Sequence, residues 1–450
     1  MLSLSDAERL GVAQRDHLGR AALANVARRK FDPLEVIAES CRGHIPRLIP
    51  EKFKRMQASA FAFFRGTVEV MAADLEASAN TRIEVQICGD AHLKNFGFFA
   101  SPGADIVLDI NDFDQTQRGP WEWDVKRLAT SVVLAGRSAR CSPSNLKDAT
   151  RLFLREYTGW MRRFATMPTM EVARHRAIRN FREPAMRAAL EEAERSTPLF
   201  NLARLTRFSQ REGYRFAPKP NEILTVAAAE RKAVLAAFPK YRETLRPEQA
   251  ALFDHYRPAD VAFKVAGTGS VGTRDYVVLL CGRESKNKDS EKNGSPDPLF
   301  LQVKEELPSA YAPYYKDKTL PQNQGERVVA GQRAMQVYSD PLLGWCKIDK
   351  RDYLVRQLSD HKAGIDPELL SGRKLAEYSR ICGELLAKGH ARTGDPAVIA
   401  AYLGRSDKAE KALLQFALKY ADQTEKDFNA FRKALSKGFA TSLLKTIKAC

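Results

Sequence analysis

Ile83, Val85 and Ile87 alternate with Arg82, Glu84 and Gln86, the period-two pattern of a half-buried strand. The same reading predicts strands over Ile106-Val107-Leu108, over Val261, Phe263 and Val265, over Tyr276–Leu280, over Pro298–Glu305 and over Tyr353–Leu358. Elsewhere the spacing is helical. Residues 5–80 read as helices, with Phe61, Phe63, Phe64, Val68, Val70 and Met71 as an apolar stripe. Gly119-Pro120-Trp121-Glu122-Trp123-Asp124 reads as a turn into a helix. Asp124 is its expected N-cap, and Val125, Leu128, Ala129, Val132, Val133 and Gly136 mark its buried face. Residues 145–255 read as helical throughout, punctuated at Met167-Pro168 and Ala217–Pro220. A helix from about Gln324 to Tyr338 follows. Another carries Leu375, Tyr378, Ile381, Cys382, Leu385 and Leu386 on one face and runs to Gly389–Arg392. Residues 284–297 contain only Glu, Ser, Lys, Asn, Asp, Gly and one Pro, so they read as a flexible insertion in a hairpin.

Composition sets bounds on this pattern. A chain of 450 residues, 44% hydrophobic, accommodates two or three domains or one large two-lobed enzyme. No apolar run approaches the ~20 residues of a membrane span. Asp6, Glu8 and Arg9 make the N-terminus too polar for a secretory leader. Seven scattered cysteines with no Cys-x-x-Cys pair fit a reducing cytoplasm. The seven histidines lack the paired spacing of a zinc site. A formal charge of +17 and a pI near 9.5 suit anionic partners. Nucleotides drawn in by long-range attraction fit this balance. Nucleic acid is supported by charge alone, because the arginines around 151–182 have few aromatic neighbours.

Against this basic background one stretch is acidic. Between Gly89 and Asp114 stand five aspartates (Asp90, Asp105, Asp109, Asp112, Asp114) and one lysine, Lys94, a local balance of −4. Crowded carboxylates repel unless a cation sits among them, and Asp with an Asn amide is a donor set for Mg²⁺. Asp90 is followed five positions later by Asn95, the spacing of a phosphotransfer catalytic loop. Asp112-Phe113-Asp114 then follows the next strand, as an Asp-Phe-x triplet gripping the phosphate-bridging metal would. Asp90 is therefore the candidate base or nucleophile orienter. Asn95 and Asp112 are candidate metal ligands, with Asp114 or Asp109 as helpers. The two strands are expected to deliver their carboxylates to one end of a small sheet. The competing reading is a pair of Asp-rich turns capping strands.

Cations and glycines supply the other half. Lys126 and Arg127 fall in a helix first turn, where the dipole disfavours them; either an Asp of the cluster or Glu122 offsets the cost. Arg65 faces either a phosphate or a structural ion partner. Gly267, Gly269, Ser270 and Gly272 belong to a Gly-x-Gly-x-x-Gly between two strands rather than between a strand and a helix. That context argues against a dinucleotide turn and for a hairpin folding over phosphates, with a plain hairpin as the alternative. Lys304 ends the next strand, where a lysine holds the α and β phosphates. Glu326 is its expected ion-pair partner, with Glu306 competing.

Several runs of this sequence resemble the bacterial family called domain of unknown function 2252. They are Cys88-Gly89-Asp90-Ala91-His92-Leu93 with Asn95-Phe96-Gly97, Asn111–Asp114, Gly119–Leu128, Gly331-Gln332-Arg333 with Gly344-Trp345, His390-Ala391-Arg392 with Gly394-Asp395, and Tyr420–Thr424. The resemblance covers most of the chain from Arg55 onward. Ala60 stands where the family leads one to expect proline, and Cys88 where antibiotic phosphotransferases usually carry histidine. The family has no settled activity, and the resemblance implies a distant likeness to protein-kinase-like and aminoglycoside phosphotransferase folds.

In this chain the catalytic and metal residues precede the glycine-rich loop, Lys304 and Glu326, whereas an ordinary kinase has the reverse. The cyclic order is intact. The expectation is an α+β, protein-kinase-like two-lobed fold, circularly permuted, with extra N- and C-terminal helices. Its parts are residues 1–80 (N-terminal helices), 81–255 (the C-lobe-like part), 256–360 (the N-lobe-like nucleotide-binding sheet) and 361–450 (C-terminal helices completing the helical lobe). The expected activity is ATP- and Mg²⁺-dependent phosphotransfer to an unknown, small-molecule acceptor. Nucleotidyl transfer on the same fold and a non-catalytic nucleotide-binding module are the alternatives.

Overall fold

The computed structural model describes residues 3–103, 105–177, 183–265, 267, 269–283, 297–315, 321–358 and 361–449. The chain opens with helices α1 (Leu4–His17), α2 (Pro33–Ser40), α3 (Ile49–Met56), α4 (Ala60–Arg65) and α5 (Val68–Glu76). Ser3, Asp32 and Ser59 cap α1, α2 and α4 by accepting first-turn backbone N–H groups. The apolar stripe over 61–71 serves two cores. Phe61, Phe64, Val68 and Met71 join the main core. Phe63 and Val70 pack with Phe53, Phe431 and Leu443 in a smaller one.

Next come β1 (Glu84–Ile87), β2 (Phe96–Ala100), β3 (Ile106–Ile110), β4 (Gln117–Pro120) and α6 (Trp121–Ser138). The strands before Asp90 and before Asp112 do not share a sheet. β1 pairs antiparallel with β4, whereas β3 pairs with β2. The reason is local: the chain enters β2 directly after Asn95 and closes a hairpin with β3. Gln117–Pro120 is likewise a strand rather than a turn, so α6 starts at Trp121. Asp124 therefore lies inside the first turn, fully buried, and Pro120 holds the cap position.

Helices α7 (Pro143–Phe164), α8 (Thr169–Arg174), α9 (Pro184–Arg195) and α10 (Pro198–Leu205) follow. The expected helical run is then broken by β5 (Thr206–Ser209), β6 (Gly213–Phe216) and β7 (Ile223–Leu224) before α11 (Ala228–Ala236), α12 (Phe238–Glu243) and α13 (Pro247–Phe253). β5 and β6 form a hairpin, and β7 is an edge of the largest sheet.

That sheet is antiparallel. Its other strands are β8 (Arg257–Lys264), β9 (Asp275–Cys281), β10 (Pro298–Glu305) and, after α14 (Gln324–Met335), β11 (Gly344–Ile348) and β12 (Arg351–Gln357), in the order β11-β12-β10-β9-β8-β7. Alternation divides its side chains between two faces. Val278, Leu280, Leu301 and Val303 pack with Val234, Phe238 and Tyr241 of α11 and α12. Val277, Leu279 and Phe300 pack with Leu202, Leu205 and Phe216. The residues over 228–253 thus cover the sheet rather than the helical body. The insertion at 284–297 lies outside the described residues up to Asp297.

A short β13 (Ala363–Gly364) joins β2, and α15 (Arg373–Ala391), α16 (Pro396–Leu403), α17 (Lys408–Ser436) and α18 (Phe439–Ala449) complete the chain. Residues of α6, α7, α15, α16 and α17 build the main core with β1–β3. The end of α15 lies beside β1, where the Gln86 N–H donates to Thr393 Oγ1 at 3.2 Å. The described cysteines are free thiols. Among the described residues no helix is long and apolar enough to cross a membrane.

Candidate functional site

Asp90 stands on a loop held from behind. The Asp124 carboxylate accepts the Cys88 and Gly89 N–H groups at 2.8 and 2.9 Å. Asp124 is itself met by His390 Nε2 at 3.3 Å, whose Nδ1 lies 2.8 Å from the Tyr157 hydroxyl. His390 is thus a satisfied core residue that steadies the loop from α15. Gly89 adopts φ +81°, and a Cβ there would fall 2.2 Å from the Gln115 carbonyl oxygen, so the turn needs glycine.

Arg127 reaches Asp90 Oδ1 with Nε at 2.6 Å and Nη2 at 2.5 Å. Because α6 begins at Trp121, Arg127 lies in its second turn rather than its first, and Asp90 is its ion partner. Lys126 instead lies over the Phe416 ring, near Glu122, which accepts from Thr81 N and Oγ1. Burial pushes the Asp90 pKa up, and Arg127 only partly opposes it. Asn95 Nδ2 donates to the Asp90 carbonyl at 2.8 Å, fixing the amide's orientation.

Asp112 and Asp114 lie just beyond β3. Asp112 accepts the Asp114 N–H at 3.3 Å. Burial and the neighbouring Asp114 charge push the Asp112 carboxyl up to about 6. Asp114 behaves oppositely: burial raises it, but Lys304, the Asp112 hydrogen bond and Arg356 together hold it below the usual carboxylate range. Lys304 Nζ bonds to Asp114 Oδ2, which also accepts from Ser270 Oγ at 3.0 Å. One carboxylate therefore joins the end of β10, the glycine-rich loop and the triplet. Asp109 takes no part. It points away from the cleft to Lys388 of α15, at 2.6 and 2.5 Å, because β3 is still pleated there and alternates its side chains.

Glu326 is another sequence-predicted residue that the fold sets apart from the cleft. Its N–H is capped by Asn323 at the start of α14, and its side chain neither lines the cleft nor pairs with Lys304. One position on, about 100° around the helix, Arg327 turns inward and donates to the carbonyls of Thr116, Asp114 and Leu307. Glu306 is the carboxyl buried near Lys304; burial and Asp114 push its pKa well up, and its Oε1 has no partner.

These groups open into a cleft of about 890 Å³. Asp90, Asn95, Asp112, Asp114 and Lys304 line it, with Gly267, Gly269 and Ser270 of the loop between β8 and β9. Gly272 does not. It has φ +112° and packs on the His44 ring, where a Cβ would fall 2.6 Å from Nδ1. Lys264, Arg356 and Lys362 also line the cleft. Sequence reasoning missed all three. Arg356 had a signal, as the cation of the apolar strand Tyr353–Leu358; Lys362 had none. Arg356 and burial lower the Lys362 ammonium to about 7. Among the described residues no three His, Cys, Asp or Glu side chains cluster as a ready-made ion cage.

A family model described as "Uncharacterized protein conserved in bacteria (DUF2252)" matches residues 42–434. The chain belongs to the DUF2252 family. The match runs from the segment before α3 to the end of α17, so the whole cleft lies within DUF2252 sequence apart from the contributions of α2. No curated protein and no solved structure matches the chain.

Proposed function

We propose that this DUF2252 protein is a phosphotransferase using ATP or another nucleotide with Mg²⁺, built on a circularly permuted, kinase-like two-lobed fold. The observation that carries this reading is the convergence on Asp114: Lys304 from the large sheet and Ser270 from the glycine-rich loop both bond to it, beside Asp112. The contact between the end of α15 and β1 supports the permuted order.

The donor set fits Mg²⁺. The Asn95 amide nitrogen is committed to Asp90, leaving its oxygen as a donor atom. Asp112 has a like charge beside it that a cation would relieve. The ion, when bound, would neutralise charge on the phosphate oxygens. Lys304, Lys264 and Lys362 give the nucleotide's phosphates a cationic wall, and Gly267 and Gly269 keep side chains away from them. Asp90 then orients the acceptor hydroxyl and takes its proton. The acceptor oxygen bonds to the γ-phosphorus, the bond to the β,γ-bridging oxygen breaks, and the nucleoside diphosphate leaves. A general base accepts a proton best when its pKa lies close to the working pH, and the raised pKa of Asp90 is a shift in that direction. Positioning and charge neutralisation supply the rate.

Thermal unfolding of the full chain with ATP, with Mg²⁺ and with both tests this. A ligand at 100 times its Kd adds about 2.7 kcal/mol. The expected outcome is a rise requiring both components and absent from Asp112→Ala. A protein whose unfolding no nucleotide shifts is not a nucleotide-dependent phosphotransferase.

A further inference from the structure

Arg65 is half-buried, with an inaccessible Nε, and has no ion partner among the described residues. It ends α4, lines the cleft and lies 5.9 Å from the Phe61 ring centroid. Its Nε has no hydrogen-bond partner, and no described carboxylate comes within ion-pair distance. Burial pushes its pKa down, and Asp90 is the first of the carboxylates that oppose this. Asp90 does not complete it: its Oδ1 is held by Arg127, and it forms no ion pair with Arg65. Asp366, a more distant contributor, faces Lys94 at 3.6 Å.

Lys52 of α3 lines the same cleft at 2% exposure, also without a described carboxylate in ion-pair reach. Burial first, then Lys52, holds the neighbouring His44 down to about 3, so that ring adds no charge. Glu35, Glu39 and Glu69 also line the cleft. Glu39 pairs with Arg42 at 2.9 Å, and neither Glu35 nor Glu69 reaches Arg65 or Lys52. Buried cations left unpaired cost free energy that an anion recovers. Lys264, Lys304 and Lys362, which line the same cleft, are assigned to the nucleotide.

We propose that Arg65, with Lys52 as a further cation of the same cleft, forms an oxyanion subsite for the acceptor, which is a small hydroxy or amino compound bearing a carboxylate or a phosphate. The inference rests on the phosphotransfer reading for the word acceptor, although the subsite itself does not. A guanidinium fork matches the planar carboxylate and the phosphate edge alike. The anion at Arg65 would leave the reacting hydroxyl or amine beside Asp90, whose charge Arg65 already feels.

The test is calorimetric titration of the full chain with inorganic phosphate and, separately, malonate, while Mg²⁺ and a non-hydrolysable ATP analogue saturate the nucleotide site. Wild type should bind at least one anion, and the preferred one identifies the acceptor's group. Arg65→Gln should weaken that binding about tenfold or more, Arg65→Lys and Lys52→Met by less, with the analogue's affinity retained. Absence of anion binding to the analogue-bound wild type, or equal binding by Arg65→Gln, overturns the subsite. Should the analogue itself fail to bind, the nucleotide reading falls alone. The same titrations on nucleotide-free protein then decide the subsite by their dependence on Arg65. Should Arg65→Gln not fold, Arg65→Lys and Lys52→Met carry the comparison.

Discussion

Asp112, half-buried in the cleft lining, and Asp124, fully buried behind the Asp90 loop, carry opposite expectations. Asp112 holds its proton to about 6, above the ordinary carboxylate value, so the folded state binds that proton more tightly than the unfolded chain does. The stability this contributes is present below about pH 4 and lost as pH rises through about 6. Urea denaturation of ligand-free protein at pH 4.5 and 7 should show that loss. Asp112→Asn should remove it, a difference on the order of 1–3 kcal/mol. Nucleotide affinity in the presence of Mg²⁺ should move the other way and strengthen across the same interval. Asp124, by contrast, holds two buried N–H groups. Asp124→Ala should destabilise the fold by about 1–3 kcal/mol for each group left unpaired, read by chemical denaturation at pH 7. The aspartate cluster was legible from composition, because five carboxylates in a basic chain are conspicuous. The choice of helper was left open, and Asp114 lines the cleft whereas Asp109 does not. Asp109 and Asp112 are three residues apart and differ only in whether the pleat still governs them.

At the scale of elements, the glycine-rich loop separates two kinds of glycine. Gly272 is required by conformation and by the His44 ring, whereas a Cβ on Gly267 would meet nothing within 4 Å. Gly272→Ala should cost about 1–3 kcal/mol through strain and clash, lowering Tm. Gly267→Ala should leave Tm unchanged and weaken nucleotide binding, measured by calorimetry. Strands with clean alternation were readable, and β10 has the predicted bounds. The β5–β6 hairpin was overlooked. Its Phe208 and Tyr214 alternate with Arg207 and Arg215 around a loop ending in Gly213, a legitimate hairpin signal. It is brief and sits between long helical stretches whose period dominates any wider window. The Asp124 cap failed for a related reason: Gly119-Pro120 looks like a turn, but pairing with β1 draws it into a strand.

At the scale of the molecule, the charge of +17 should act on rates more than on the bound complex. Stopped-flow association of ATP is expected to slow as ionic strength rises and the Debye length contracts to about 8 Å at 0.15 M, with dissociation nearly constant. The N-terminal helices, readable only as an apolar stripe, are part of the cleft wall through His44, Lys52 and Arg65. No local pattern could reveal this, because their partners are far away in the chain. The same is true of the ties that define the site. Lys304 lies 190 residues beyond Asp114, His390 lies 266 beyond Asp124, and Lys388 lies 279 beyond Asp109.

Those separations impose a timetable on the ribosome. At ~5–20 residues per second, each aspartate emerges roughly 10–60 s before the cation or imidazole that receives it. Throughout that interval the nascent chain holds β1–β4 and α6 with their central carboxylates unmatched, so the first half has no stable resting place of its own. Residues 1–222 expressed alone should remain protease-sensitive and engage chaperones. The complete chain should acquire resistance in a single late step, once α15 has been made.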